Sequence, residues 1–334
     1  MTETGGQQFE AEIREQPAVL ARLASSHAAR TLDGAIGAGD PLFVGSGSSL
    51  FVAQLAAYAW RRHGRRAASV AASEAWSQSA AYRGATVVAL SQSGRTADVL
   101  AALDALEPAR TIALTNDLTS PLAQRAGVVI DLLAGPERAV PASKSVTAMT
   151  ALVLWAAARA ADGDSGPAAD LERSAATLST WFDADALPEM TLAAALLEPT
   201  HSIIVIGAGY GVPVAAEIAL KIKEASYRHA EGFGAGEFRH GSTAILDASR
   251  GIVGLVDGSS REAVGVVNEI ARTAHASVVA LGDALPGISA FGPPATGRFA
   301  PLSWIVGGQF LALALARRAG IDSDTPRGLQ KFLS

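Results

Sequence analysis

Residues 85–106 read ATVVALSQSGRTADVLAALDAL, a strand, a turn and a helix in that order. ATVVAL is a short apolar run with β-branched members, the composition of a strand buried on both faces. TADVLAALDAL has the make-up of a helix. Between them, Ser91-Gln92-Ser93-Gly94-Arg95-Thr96 brings three hydroxyls and a glycine to a helix N-terminus. The first N–H groups of a helix have no partner within it, and the helix dipole is positive at that end. Such a turn can hold a phosphate dianion without Lys or Arg. Ordinary capping asks for a single hydroxyl. Three hydroxyls within six residues point instead to an anion site.

The same alternation extends outward. PLFVG (41–45), RTIALT (110–115) and GVVIDL (127–132) are further apolar runs in the first half. After the polar patch ADGDSGP (161–167), SIIVIG (202–207), GIVGLV (251–256) and SVVALG (277–282) continue the pattern. Strands that alternate with helices predict an α/β chain with parallel sheets flanked by helices. The patch divides it into domains 1–165 and 166–320, with a tail at 321–334. VGSGSS (44–49) and IGAGYG (206–211) each follow an apolar run and precede a helical one, which predicts a duplicated domain. In an open parallel sheet, Ser46, Ser48 and Ser49 on the first of these turns fall at the same carboxyl edge as Ser91–Thr96. Neither glycine turn has the spacing of a dinucleotide fingerprint, and no GxxxxGK[ST] segment occurs.

Composition narrows the classes. The chain has 334 residues, 49% hydrophobic and 18% charged, which predicts folded structure throughout. A net charge of −5 offers phosphate backbones no general attraction, and the cluster Arg61, Arg62, Arg65 and Arg66 is short, so no nucleic-acid partner is expected. There is no cysteine, which removes disulfides and thiolate chemistry and fits a reducing compartment, the cytoplasm. MTETGGQQFEAEIREQP lacks the pattern of a secretory signal. Val146 to Ala158 is an apolar stretch too short to cross a bilayer and reads as a buried helix, so no membrane partner is expected.

The richest polar stretch is EIALKIKEASYRHAEGFGAGEFRHGS (217–242). Glu217, Lys221 and Glu224 are spaced i, i+4, i+7, which places them on one narrow helical stripe. On most helices such a stripe is a solvated ladder of weak ion pairs. Here the helix begins at the ligand-bearing edge of its sheet, and His240, flanked by glycine, follows 16 residues after Glu224. A carboxylate, an amine and an imidazole together suit proton transfer between adjacent sugar carbons. His229 and Glu231 fall in an expected strand. No spacing indicates a metal site, and no cofactor is expected.

These segments resemble the isomerase half of the glutamine:fructose-6-phosphate amidotransferases and their stand-alone sugar-isomerase (SIS) relatives. The resemblance is carried by EIREQP (12–17), GSGSS (45–49), SQSGRTAD (91–98), AGPERAVPASK (134–144), ALKIKEASYRHAEGFGAGEFRHG (219–241) and TPRGLQK (325–331), in family order along nearly the whole chain. It implies two tandem SIS domains, each a flavodoxin-like three-layer α/β/α sandwich. It implies that Ser48, Ser49, Ser91, Gln92, Ser93 and Thr96 hold a sugar phosphate, with Val140 among the substrate contacts. Glu224 would shuttle a proton between C1 and C2, with Glu217 and Lys221 beside it. His240 would open the sugar ring in the active site of a neighbouring subunit of a homodimer, and Lys331 on the tail would engage the open sugar. The implied reaction is conversion of an amino-hexose 6-phosphate, first of all glucosamine 6-phosphate to fructose 6-phosphate and ammonia through an enolamine. Ammonia-dependent synthesis, turnover of a galactosamine or fructosamine phosphate, and non-catalytic sugar-phosphate sensing are the alternatives. Two departures bear on substrate: Arg95 follows Gly94 where the amidotransferases carry an acidic residue, and Ser242 rather than proline follows Gly241. The amidotransferases also use a cysteine nucleophile in a glutaminase domain, and this sequence contains neither.

Overall fold

The computed structural model describes residues 5–163, 166–258, 260–295 and 297–331. Among these described residues, ten strands form two separate sheets of five, all parallel. The first contains β1 (Pro41–Gly45), β2 (Ala68–Ala71), β3 (Thr86–Leu90), β4 (Arg110–Thr115) and β5 (Val128–Asp131), in the order β2-β1-β3-β4-β5. The second contains β6 (Ser202–Gly207), β7 (His229–Gly234), β8 (Arg250–Val256), β9 (Ser277–Gly282) and β10 (Ser289–Phe291), in the order β10-β9-β8-β6-β7. Renumbered from its own first strand and read from the opposite edge, the second order is also 2-1-3-4-5, the flavodoxin-like arrangement.

Each sheet is covered on both faces, which is why its central strands are apolar throughout rather than alternating. In the first sheet, Leu42, Val44, Val87 and Ala89 turn to one side and meet Val99, Ala102 and Leu103 of the helix Ala97–Leu106. Phe43 turns to the other side and meets Trp60 of the helix Ser48–Arg62 at 5.2 Å between ring centroids. In the second, Ile204, Ile206 and Ile252 pack with Val266, Val267 and Ile270 of the helix Arg261–Thr273. The helices Gly211–Ser226 and Ala300–Arg318 pack together over its opposite face.

The apolar stretch Val146–Ala158 lies in the buried helix Lys144–Asp162, as its composition predicts. A longer apolar helix is also present. Gly297–Arg318 is long and apolar enough to cross a membrane by length and composition, yet its apolar window is entirely buried within its unit. It is a core helix.

The two sheets belong to two compact units that interleave along the chain. One comprises Ala18–Glu137, Lys144–Arg173 and the chain from Gln330; the other comprises the chain through Pro17, Arg138–Ser143 and Ser174–Leu329. The linear division at 165 and 320 therefore differs from the structure at both ends. The helix Gln7–Arg14 gathers with the second sheet because Asp324 of the tail accepts hydrogen bonds from the backbone N–H groups of Gln8 (3.0 Å) and Phe9 (2.7 Å). Buried Gln16 also donates to Gln309 at 2.8 Å.

Candidate functional site

In the unit of the first sheet, β1 and β3 are neighbours, so the turns that follow them lie side by side at the carboxyl edge. The turn after β3 is held by its own hydroxyls. Ser91 Oγ and Thr96 Oγ1 are 3.0 Å apart, Gly94 N–H donates to Ser91 Oγ (3.1 Å), and Arg95 N–H donates to Ser93 Oγ (3.2 Å). Thr96 occupies the N-cap of Ala97–Leu106, but its side chain makes no cap hydrogen bond to that helix. The hydroxyl that ordinary capping would use is turned towards Ser91. Gly94 has φ +60°, and a Cβ there would lie 2.0 Å from Ser120 Oγ, so only glycine lets the turn close. Ser91 and Ser93 are buried, while Gln92 is half-buried and its carbonyl accepts from Asn116 N–H (3.0 Å).

Arg95 leaves this turn outward and pairs with Asp117 at 2.8 Å. Hydrogen bonds from the Thr119 hydroxyl and backbone N–H, together with Arg95, hold Asp117 below the usual carboxylate range. On the adjacent turn, Ser48 opens the helix Ser48–Arg62, and buried Ser49 brings its Oγ to 4.0 Å from Met149 Sδ. Glu137, buried in the same unit, accepts from Ser145 N–H (3.0 Å), Ser145 Oγ (2.7 Å) and Lys331 Nζ (3.3 Å). The tail amine is thus docked against a buried carboxylate.

In the unit of the second sheet, the helix Gly211–Ser226 carries the acid–base residues. Gly207 ends β6 and Gly45 ends β1, and each allows the same close approach. A Cβ on Gly207 would lie 2.2 Å from the Gly211 carbonyl oxygen, and one on Gly45 would lie 2.6 Å from that of Ser49. Each helix therefore starts tightly against the strand before it. Along the Gly211 helix, Lys221 Nζ lies 2.5 Å from Glu224 Oε2 and 3.7 Å from Glu217 Oε1. Side-chain exposure is 1% for Lys221, 3% for Glu217 and 21% for Glu224. The solvated ladder usual for such a stripe is not what forms. Two members are inside the fold, where a charge persists only with a partner. Glu224 alone reaches the surface, held by a charge-assisted hydrogen bond.

His240 stands exposed on the turn after the short helix Ala235–Phe238, its N–H bonded to the Glu237 carbonyl (3.0 Å), and Gly241 next to it has φ +106°. Half-buried Val140 donates its N–H to the Asp324 carbonyl at 3.0 Å. The buried Glu12 carboxylate holds the preceding residues through Arg138 N–H (2.5 Å) and Ala139 N–H (3.3 Å). His229 and Glu231 lie on β7, as expected, and are 3.7 Å apart and exposed.

The structure thus brings the hydroxyls together in one unit and the Glu–Lys–Glu set together in the other. Glu137 and Glu12 were not picked out by sequence reasoning. Glu137 lies in AGPERAVPASK and Glu12 is the first of two glutamates in EIREQP, segments that carry the resemblance, and that is their only signal in the sequence.

The SIS domain family model matches residues 38–159 and 196–287. A glutamine–fructose-6-phosphate aminotransferase (isomerizing) of Aeropyrum pernix is 36% identical over 348 residues, covering 97% of this chain and 56% of its own length. The chain spans about half the length of the aminotransferases it matches. The C-terminal domain of glucosamine-fructose-6-phosphate aminotransferase from Francisella tularensis superposes with a TM-score of 0.82 at 21% identity, covering 98% of this chain and 100% of that one. A glucosamine-6-phosphate deaminase from Thermotoga maritima superposes with a TM-score of 0.80 at 22% identity, covering 98% and 99%.

Proposed function

Because this chain belongs to the SIS domain family, we propose that it is a phosphosugar enzyme that converts an amino-hexose 6-phosphate, foremost glucosamine 6-phosphate, to fructose 6-phosphate and ammonia. The observation that carries this reading is the buried Lys221 holding the partly exposed Glu224 at 2.5 Å. A carboxylate fixed in this way and open on one side can take a proton from one sugar carbon and return it to the next.

His240 assists ring opening to the free aldehyde. Glu224 removes the C2 proton, and the electrons of that C–H bond form the C1–C2 double bond of an enolamine while the C1=O π pair moves onto O1, which takes up a proton. The nitrogen lone pair then forms the C2–N double bond as the C1–C2 π pair accepts the same proton at C1. Water then adds to the C2 ketimine and ammonia leaves, so one water is consumed for each ammonia released. The 6-phosphate is held by Ser49, Ser91, Gln92, Ser93 and Thr96, with Ser48 adjoining, and Lys331 and Val140 contact the opened chain. His240 is exposed on its own protomer, which suits a residue supplied to a neighbouring subunit of a homodimer. The absence of cysteine fits work in a reducing cytoplasm.

A second reading is synthesis in the opposite direction from fructose 6-phosphate and ammonia, favoured by the likeness to an aminotransferase. Purified protein incubated with glucosamine, galactosamine and fructosamine 6-phosphates, with ammonia release measured, tests the first reading. Release from at least one, lost in Glu224→Gln, is expected. Ammonia uptake with fructose 6-phosphate but no release from any of the three would favour synthesis, and silence in both directions would overturn catalysis.

A further inference from the structure

The tail segment that precedes Lys331 is fastened in the unit of the second sheet at three places, one of them the Val140 N–H bond to the Asp324 carbonyl. Asp322 accepts from Gly6 N–H (2.9 Å), and Asp324 takes the N–H groups of Gln8 and Phe9 at the start of the first helix. Further on, Arg327 N–H donates to the Tyr227 hydroxyl at 2.7 Å, and the Arg327 guanidinium lies 4.4 Å from the centre of the same ring. One side chain thus engages both the backbone and the side chain of a single tail residue.

Tyr227 is the C-cap of the Gly211–Ser226 helix, with φ 56° and ψ 14°. This is the left-handed conformation that glycine commonly supplies at helix ends and that L residues seldom adopt. A glycine would end the helix with less strain but could offer the tail nothing. The residue lies three positions after Glu224 on the same chain segment, so whatever it grips is referenced to the proposed proton shuttle. Lys331 lies four positions after Arg327, and an extended chain of four residue steps spans at most about 14 Å. The grip therefore limits the volume that the tail amine can search.

We infer that Tyr227 is a positioning residue for Lys331, holding the tail through Arg327 so that the amine is presented to the sugar. This rests on the proposed role of Lys331 and deepens it. A side chain that merely decorates a helix end would give the same contacts, and the experiment separates the two. Tyr227→Ala, Tyr227→Phe, Lys331→Ala and Tyr227→Ala/Lys331→Ala are made in the full chain. Each is assayed for glucosamine 6-phosphate turnover, melting temperature and trypsin cleavage at Arg327–Gly328, read by intact mass.

Tyr227→Ala should lower kcat about 10- to 100-fold with KM within about twofold, since misplacement of a reacting group by about 1 Å can cost that much. Tail cleavage should speed up about tenfold, because proteolysis follows the population of the released segment. Tyr227→Phe, which keeps the ring beneath Arg327, should fall between Tyr227→Ala and the parent protein. In the Lys331→Ala background, Tyr227→Ala should cost nothing more. Multiplying losses, or unchanged tail cleavage in Tyr227→Ala, would overturn the inference. If Lys331→Ala retains full kcat, the role of Lys331 fails and positioning fails with it, whereas trypsin still decides whether Tyr227 grips the tail. Should the chain turn over none of the sugars, the cleavage arm judges the grip without turnover, using fructose 6-phosphate as the added ligand. Protection by that sugar that is lost in Tyr227→Ala would support positioning, and equal protection in both would refute it.

Discussion

The two sheets have the same strand order, yet the turns at corresponding places carry opposite chemistry. The turn after β3 presents Ser91, Ser93 and Thr96. Its counterpart after β8 presents Asp257, which accepts a hydrogen bond from the Ser260 hydroxyl at 2.5 Å. Burial, with the neighbouring charge of Asp257, pushes the carboxyl of Asp283 at the end of β9 above its usual range. A phosphate that the first edge would welcome would meet carboxylates at the second. The helices after β1 and β6 differ in the complementary sense. Ser48–Arg62 starts with hydroxyls, whereas Gly211–Ser226 carries Glu217, Lys221 and Glu224 along its length. On the proposed reading the repeated frame would be divided between holding and reacting, with the difference in side chains rather than strand order.

Changes on the two sides should therefore fail differently. The largest effect is expected for Glu224→Gln, which keeps the shape and removes the base. Its kcat should fall about 10²- to 10⁴-fold with KM nearly unchanged, measured by steady-state ammonia release. A comparable rise in KM instead would erase the division. Next, removal of residues 326–334 should cost about 10²- to 10³-fold in kcat while circular dichroism and melting temperature stay close to the parent. Lys331→Arg should fail as well if the amine attacks the carbonyl, because guanidinium keeps the charge but is no nucleophile. Near-normal turnover in the truncated protein would return the tail to the frayed end that chain termini usually are.

On the binding side, Ser93→Ala should weaken substrate binding about 10- to 100-fold, the worth of one hydrogen bond to a charged group, with kcat little changed. An unchanged KM would remove that turn from the site. Equal amounts of Glu224→Gln and His240→Asn protein, each inactive alone, should regain about a quarter of parental activity after subunit exchange, since half of the dimers then hold one intact site of two. No recovery despite proven exchange would put both residues in one subunit.

The smallest effect is a pH dependence. The Gly6 N–H holds Asp322 below its ordinary value, with Asp324 N–H adding to it. A depressed carboxylate contributes stability above its unfolded pKa and loses it as pH falls through the folded one. Asp322 is exposed, so solvent screens most of this. Asp322→Asn should lower the melting temperature at pH 7 by about 1 °C and abolish that difference near pH 2. A difference that persisted at pH 2 would assign the effect to packing.

The central strands, the hydroxyl-rich turn and the Glu217–Lys221–Glu224 stripe were legible because each is local, written in a run of apolar residues, a cluster of hydroxyls or a helical spacing. β2 and β10 were not, since ASVA and SAF are short edge strands with no apolar run to declare them. Burial of the stripe was equally hidden, because i, i+4, i+7 spacing fixes a face but not what covers it. The interleaving of the units depends on Asp324 reaching Phe9 across 315 residues, and Glu137 meets Lys331 across 194. No pattern within a window reports such pairings.

That interleaving has a consequence for how the chain is made. The helix Gln7–Arg14 belongs to a unit whose other parts extend to Leu329. The helix Gln7–Arg14 must wait for the helix Ala300–Arg318 and the Asp322–Asp324 clamp, about 300 residues later, or about 15 to 60 s at about 5 to 20 residues per second. Meanwhile Phe9 and Ile13, both fully buried in the finished fold, have no permanent home. Synthesis thus leaves the apolar side of this helix without the partners that bury it for that interval.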